Sequence, residues 1–350
     1  MNNNECRRMF RDVFAPKYGE KVLFLIDKPH GKIKDSIKWK SRREMAHNWY
    51  KVFTDMGKDI GFTVDLLDYK ATGLSNKPIP QNIIDAASKN NLIIAMTEYS
   101  ASSSVKRICQ KNGTITRCAS MPGVEKRMEQ SAFKANYSVV FKYANAIRKM
   151  LDEAVGAKIN FSSGDEIFID LRNRIANADG GKCTEAGQFI NFPSGEGYIV
   201  PYEGIADEIE EFGKSKTRGI LPDNQHGDLI RYKVKNNTIT EVIGEGKEAN
   251  KMRDFFNFNK TRRNIAELGI GCNPRAIVTG NVLEDEKVGG LHIAYGTSLH
   301  LGGKVISDVH QDICFPKGIP AEAEKLVLIN NDDSKIELIS GSTLRYELLK

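Results

Sequence analysis

The chain has 350 residues, 40% of them hydrophobic and 27% charged, which is ordinary for a globular protein and too long for one core, so two domains are expected. No apolar run nears the roughly 18 residues that cross a bilayer, and MNNNECRRMFRDVF carries charges where a secretion signal needs its apolar centre, so no membrane partner is expected and the location read is cytoplasmic. The net charge of +6 hides an asymmetry: residues 1–150 carry 27 Lys+Arg against 14 Asp+Glu (+13), and residues 151–350 carry 24 against 31 (−7).

In chain order, KVLFLID (Lys21–Asp27) is a short apolar run of the buried-strand type, followed by an amphipathic helix from about Ser36 to Met56. FTVDLLDY and LIIAMTE read as further strands, IIDAASKN as a helix, and SSVKRICQKNG as a helix closed by glycine. One long helix is expected from Val124 to about Val155. This β-α-β rhythm predicts a Rossmann-like parallel sheet over residues 1–155. No G-x-G-x-x-G follows the first strand, where DKPHGKIKD stands, so a nicotinamide cofactor is not expected. The basic run GKIKDSIKWKSRR holds one aromatic residue and reads as a solvated face, not a nucleic-acid surface.

Near Gly156 the texture changes to alternating runs joined by Gly, Asn and Asp, with KNNTI as a hairpin tip and only Glu248–Phe258 clearly helical. Residues 156–350 are therefore expected to form a β-rich, antiparallel barrel or sandwich holding a metal-binding catalytic site. The six cysteines contain no C-x-x-C pair and read as reduced, mostly buried thiols; Cys272 and Cys314 lie near the candidate site in sequence, but its oxygen-rich donors suit a harder cation than thiolates do.

That site is read in Asn264–Asp312 together with NFPSGEGYIVP. His310 and Asp312 lie two apart, and on a strand both face the same way. Glu267 in apolar ELGIG is costly to bury alone, and His292 sits in apolar LHIAYG. Taken singly, Glu196 reads as a turn carboxylate, Glu286 as part of a solvated acidic run and His292 as a core histidine. Together, four carboxylates (Glu196, Glu267, Glu286, Asp312) and two imidazoles (His292, His310) form a mixed oxygen and nitrogen set. A charge of −4 would balance two divalent cations (Zn, Co, Mn or Mg), which could activate a bridging water for hydrolysis.

NFPSGEGYIVPYEG, NIAELGIGCNP, TGNVLEDEKVGGLHIAYG and SDVHQD resemble the thermophilic metallo-aminopeptidase family, the aminopeptidase T group and its shorter leucyl aminopeptidase-like branch. The resemblance implies an N-terminal α/β domain, a C-terminal catalytic domain, a homodimer, and metal ligands at Glu196, Glu267, Glu286, His292, His310 and Asp312. It implies release of the N-terminal residue of a short peptide or of a related small amide, with Glu267 catalytic. Where the longer peptidases place a catalytic tyrosine, this chain has Leu299. Arg275 is read as a clamp for a carboxylate or oxyanion. Two alternatives stand beside this reading. In one, His292, His310 and Asp312 form the 2-His-1-carboxylate set of a non-haem Fe(II) ring-cleaving dioxygenase on a similar scaffold. In the other, the metal only stabilises a binding protein.

Overall fold

In the computed structural model, which describes residues 1–350, the first apolar run is a strand, Lys21–Lys28, whose six central residues are all buried. A strand is buried on both sides only when layers cover both faces of its sheet. Phe24 and Ile26 enter a core with Phe10 and Phe14 of helix Asn3–Phe14 and with Trp49 and Phe53 of helix Ile37–Ile60. Leu23 and Leu25 point the other way, to Ile83 of helix Gln81–Ala87 and Val105 and Ile108 of helix Ser102–Cys109. The five parallel strands run in the order Thr63–Lys70, Lys21–Lys28, Leu92–Met96, Arg117–Ser120 and Phe189–Asn191.

The fifth strand comes from far along the chain. Met1–Phe141, Gly181–Ser194 and Pro274–Glu284 form one compact unit, and Lys142–Gly180, Gly195–Asn273 and Asp285–Lys350 form the other. The expected division after residue 155 is a single cut, whereas the chain returns twice to the first unit. Within that unit Arg117 is 2% exposed and spends its guanidinium on fixed acceptors. It donates to both carboxylate oxygens of Glu20 at 2.8 Å, to the Phe14 carbonyl at 3.0 Å and to the Cys183 carbonyl at 2.8 Å. The last of these ties down the segment that carries Phe189–Asn191.

Two expectations change here. The single helix over 124–155 is broken into 3-10 turns, Lys126–Gln130 and Ala132–Lys134, before the α-helix Tyr137–Glu153. A distant carboxylate competes for the local chain: Glu284 accepts from Ser131 Oγ at 2.5 Å and from Ala132 N at 3.4 Å, and Ser131 leaves helical geometry. Asn136 Oδ1 then accepts from Ser138 N at 3.0 Å and starts the α-helix. Helix Asn3–Phe14, which was not expected, begins with a capping box between Asn2 and Glu5.

The second unit is antiparallel, with an eight-stranded and a five-stranded sheet sharing one apolar core. Leu221, Ile159 and Leu326 enter it from the larger sheet, Leu268, Ile270 and Ile293 from the smaller. The KNNTI tip is a two-residue hairpin turn, with Asn236 and Asn237 at φ 51° and 61° between Lys235 and Thr238. The fold is thus mixed α/β, a parallel sheet in one unit and antiparallel sheets in the other. No helix is long and apolar enough to cross a membrane.

Candidate metal centre

The smaller sheet positions the site. Its order is His310–Cys314, Leu291–Gly296, Ile265–Gly271, Glu196–Ile199, Asn177–Asp179, every neighbour antiparallel. Side chains alternate along each strand. Leu268, Ile270, Ile199, Ile293 and Ile313 therefore enter the core, and Glu267, Gly269, His292, Ala294 and Asp312 share the opposite face. Glu196 pairs with Gly271, Gly269 with His292, Ala294 with Asp312, and Gly296 with His310.

Small residues keep that face open. A Cβ on Gly269 would lie 2.1 Å from His292 Nε2, and one on Gly271 would lie 2.2 Å from the Val288 carbonyl oxygen and 2.5 Å from that of Glu286. These glycines are needed for space. Gly269→Ala is expected to force the His292 ring aside, at a cost of about 1–3 kcal/mol in stability, and to weaken divalent-ion binding by roughly 10-fold. Thermal melting and metal titration of the variant check this; an unchanged affinity would remove His292 from the centre.

All six candidate ligands come together, in three overlapping groups: Glu196 with Glu267 and His292; Glu267 with His310 and Asp312; Glu286 with His292 and Asp312. Glu267 spans the two imidazoles, with Oε2 3.2 Å from His310 Nε2 and Oε1 3.5 Å from His292 Nε2. Asp312 Oδ1 is 3.5 Å from His310 Nε2. Each group holds one imidazole and two carboxylates, and no one group holds His292, His310 and Asp312 together. No group includes a cysteine, and none of the six cysteines is in a disulfide.

The donor chemistry fits a divalent cation. Glu196 Oε2 and His292 Nδ1 are buried without a hydrogen-bond partner, a state that costs roughly 1–3 kcal/mol for a polar atom left dry. His310 Nδ1 lies 2.8 Å from the Thr297 carbonyl oxygen, which can only accept, so Nδ1 donates there and Nε2 is the nitrogen turned to Glu267 and Asp312. Against burial, Asp312 and Glu267 raise this imidazole well above its ordinary value, and a bound ion would displace the proton on Nε2.

Charge and burial act against each other throughout. Burial works to raise Glu267, but hydrogen bonds and attraction from His292 and His310 hold its carboxyl well below the usual range. Burial disfavours the His292 cation, but Glu267 and Glu196 push that imidazole up to about 9. Burial, with the Glu196 and Asp312 charges, raises Glu286 to about 8 against the pull of Lys287.

Lys287 is the residue that sequence reasoning missed. Its side chain is 0% exposed, and Nζ lies 2.5 Å from Glu196 Oε1 and 2.8 Å from Glu286 Oε1. The signal was available, as a lysine inside EDEKVGG next to a proposed ligand. The acidic run was read as solvated, yet Glu284 is fully buried in the first unit, where Arg127 meets it at 3.2 Å. Asp179, also missed, sits opposite Glu196 in register and adds its charge around Lys287. Arg275 belongs to the Pro274–Glu284 segment of the first unit and is exposed. His300 is on a 3-10 turn, Leu299–Leu301, with its ring edge-on to His310 at 4.6 Å between centroids.

The family model described as NicX, 2,5-dihydroxypyridine 5,6-dioxygenase, matches residues 67–313. The fold is similar to that of 2,5-dihydroxypyridine dioxygenase from Pseudomonas putida KT2440, with a TM-score of 0.70 and 17% identity over 100% of both chains. It is also similar to wild-type AmpT from Thermus thermophilus, with a TM-score of 0.61 and 13% identity over 98% of each chain. No curated protein matches the sequence at a significant level. The aminopeptidase resemblance thus holds for the fold. The expected hydrolase, aminopeptidase and metalloprotease assignment is overturned by the family match, which points to an oxidoreductase. One scaffold carries both chemistries, so fold likeness could not choose between them.

Proposed function

The chain belongs to the NicX family, described as 2,5-dihydroxypyridine 5,6-dioxygenase, and from that membership we propose that it is a metal-dependent dioxygenase opening a dihydroxylated aromatic or N-heteroaromatic ring. The observation that carries the reading within the site is the Glu267–His310–Asp312 group, whose ligand atoms converge beside the sheet edge. A redox-active divalent ion such as Fe(II), when bound there, supplies the electron transfer that lets O2 react with a ring diol.

The chain's own residues hold and orient. Glu267 and Asp312 bring two negative charges, and His310 offers Nε2 because Thr297 fixes its tautomer. Strand pairing holds Asp312 opposite Ala294 and His310 opposite Gly296 on the edge strand, which is hydrogen-bonded along one side to Leu291–Gly296. His300, edge-on to His310, and the exposed Leu299 that precedes it on the same turn would offer a polar edge and an apolar face to a flat ring.

The test is oxygen uptake by Fe(II)-loaded protein with 2,5-dihydroxypyridine and with carbocyclic diols and hydroquinones. Oxygen is expected to be consumed one-to-one with loss of ring absorbance. Chelation should abolish this, and Fe(II) but not Zn(II) should restore it. No oxygen consumption with any of these rings under Fe(II) or Mn(II) would sink the reading.

A further inference from the structure

A centre with four carboxylates within reach of one another needs positive charge, and part of it is already covalently present. Lys287 has no solvent-exposed side-chain surface, and its ammonium sits between Glu196 and Glu286 at 2.5 and 2.8 Å. At such distances, in a water-excluded setting, the attraction between an ammonium and a carboxylate is strong and little screened by salt.

The stem cannot readily swing away. The Lys287 carbonyl accepts from Asn273 N at 2.9 Å. The 286–288 backbone also lies so close to Gly271 that a Cβ there would be 2.8 Å from the Lys287 carbonyl carbon. A surface lysine yields its place to an incoming ion by moving into water. This one has none of its side chain in water and rises from a held backbone.

We propose that Lys287 is a built-in counter-ion that takes the second cation position of the centre, between Glu196 and Glu286, and limits the chain to one divalent ion at Glu267, His310 and Asp312. This rests on the reading of the cluster as a metal centre, not on the identity of the ring substrate. It replaces the count of two ions drawn from the carboxylates alone. The ammonium neutralises one charge, cannot be stripped by a chelator, and has no vacant coordination position to offer a substrate. Removing it should therefore create an ion site.

The experiment measures bound Mn(II) per chain at saturation, by elemental analysis and by electron paramagnetic resonance. It uses the wild type, Lys287→Met and the double variant Lys287→Met/Glu196→Gln, with circular dichroism to confirm folding. The expected counts are one, two and one, with an isolated six-line Mn(II) signal in the wild type and an exchange-coupled signal in Lys287→Met. Two ions or a coupled signal in the wild type overturn the proposal and leave the metal-centre reading standing. A folded Lys287→Met that still binds one ion also overturns it. Should Lys287→Met not fold, the wild-type signal decides alone. No binding in the wild type overturns the metal-centre reading and the proposal together, while one ion without ring opening overturns only the dioxygenase.

Discussion

Glu267→Gln is expected to cost the protein its metal. The carboxylate is 5% exposed and is shared by two of the three ligand groups, and its two oxygens face His310 and His292 separately. Glutamine has nearly the same shape but no charge, and one of its ends is a donor aimed at an imidazole nitrogen. Divalent-ion affinity should fall by at least about 100-fold, beyond the 10–100-fold typical of losing an outer partner of a metal ligand. Oxygen uptake should fall to background with it. Competition against a fluorescent chelator reads the affinity directly, and wild-type affinity in Glu267→Gln would show that the ion, if bound, sits elsewhere. Asp312→Asn should behave similarly, whereas Val309, outside the strand His310–Cys314, should tolerate a conservative exchange.

The largest effect on stability is expected from Arg117→Met. The guanidinium is buried with Glu20 and the Phe14 and Cys183 carbonyls. Removing one partner of such a pair leaves the other charge stranded, at a cost of about 3–5 kcal/mol. Burial acts to raise the Glu20 carboxyl, but Arg117 wins and holds it below its ordinary value. A lowered folded pKa means that this stabilisation is complete above the unfolded carboxylate range and is lost as pH falls through the folded value. Denaturant melts of wild type and variant should therefore differ most at neutral pH and converge in acid. Equal midpoints at pH 7 would mean that the network contributes no net stability.

The elements that the sequence made legible are those with a local signal. Lys21–Lys28 and Leu92–Met96 stand out as unbroken apolar runs, Asn236–Asn237 as a turn that needs two positive φ angles, and His310–Asp312 as a same-face pair. The illegible parts were settled by partners far away in the chain. Phe189–Asn191 is too short to have a pattern, and it is a strand because Arg117–Ser120 needs a neighbour. Ser131 leaves the helix because of a carboxylate 153 residues later. The six candidate ligands could be named from motifs, but a count of carboxylates alone passed over the buried ammonium of Lys287, which follows an acidic run read as solvated. The chemistry was legible least of all. A scaffold shared by a dioxygenase and AmpT leaves the choice to a few side chains, and the family match made it where the motifs pointed the other way.

The interleaved segments of the two units have a consequence for biosynthesis. The first unit lacks its fifth strand until Gly181–Ser194 has been made, and lacks Leu283 of its core until Pro274–Glu284 follows. A ribosome adds about 5–20 residues per second, so the growing chain spends some seconds with Arg117–Ser120 as an unpaired sheet edge and Arg117 short of one acceptor. Such an edge is a template for pairing with another chain. Heterologous expression should therefore yield more monodisperse protein when synthesis is followed closely by chaperone binding. A fragment ending near residue 155 is no miniature of the first unit: it keeps the exposed edge permanently.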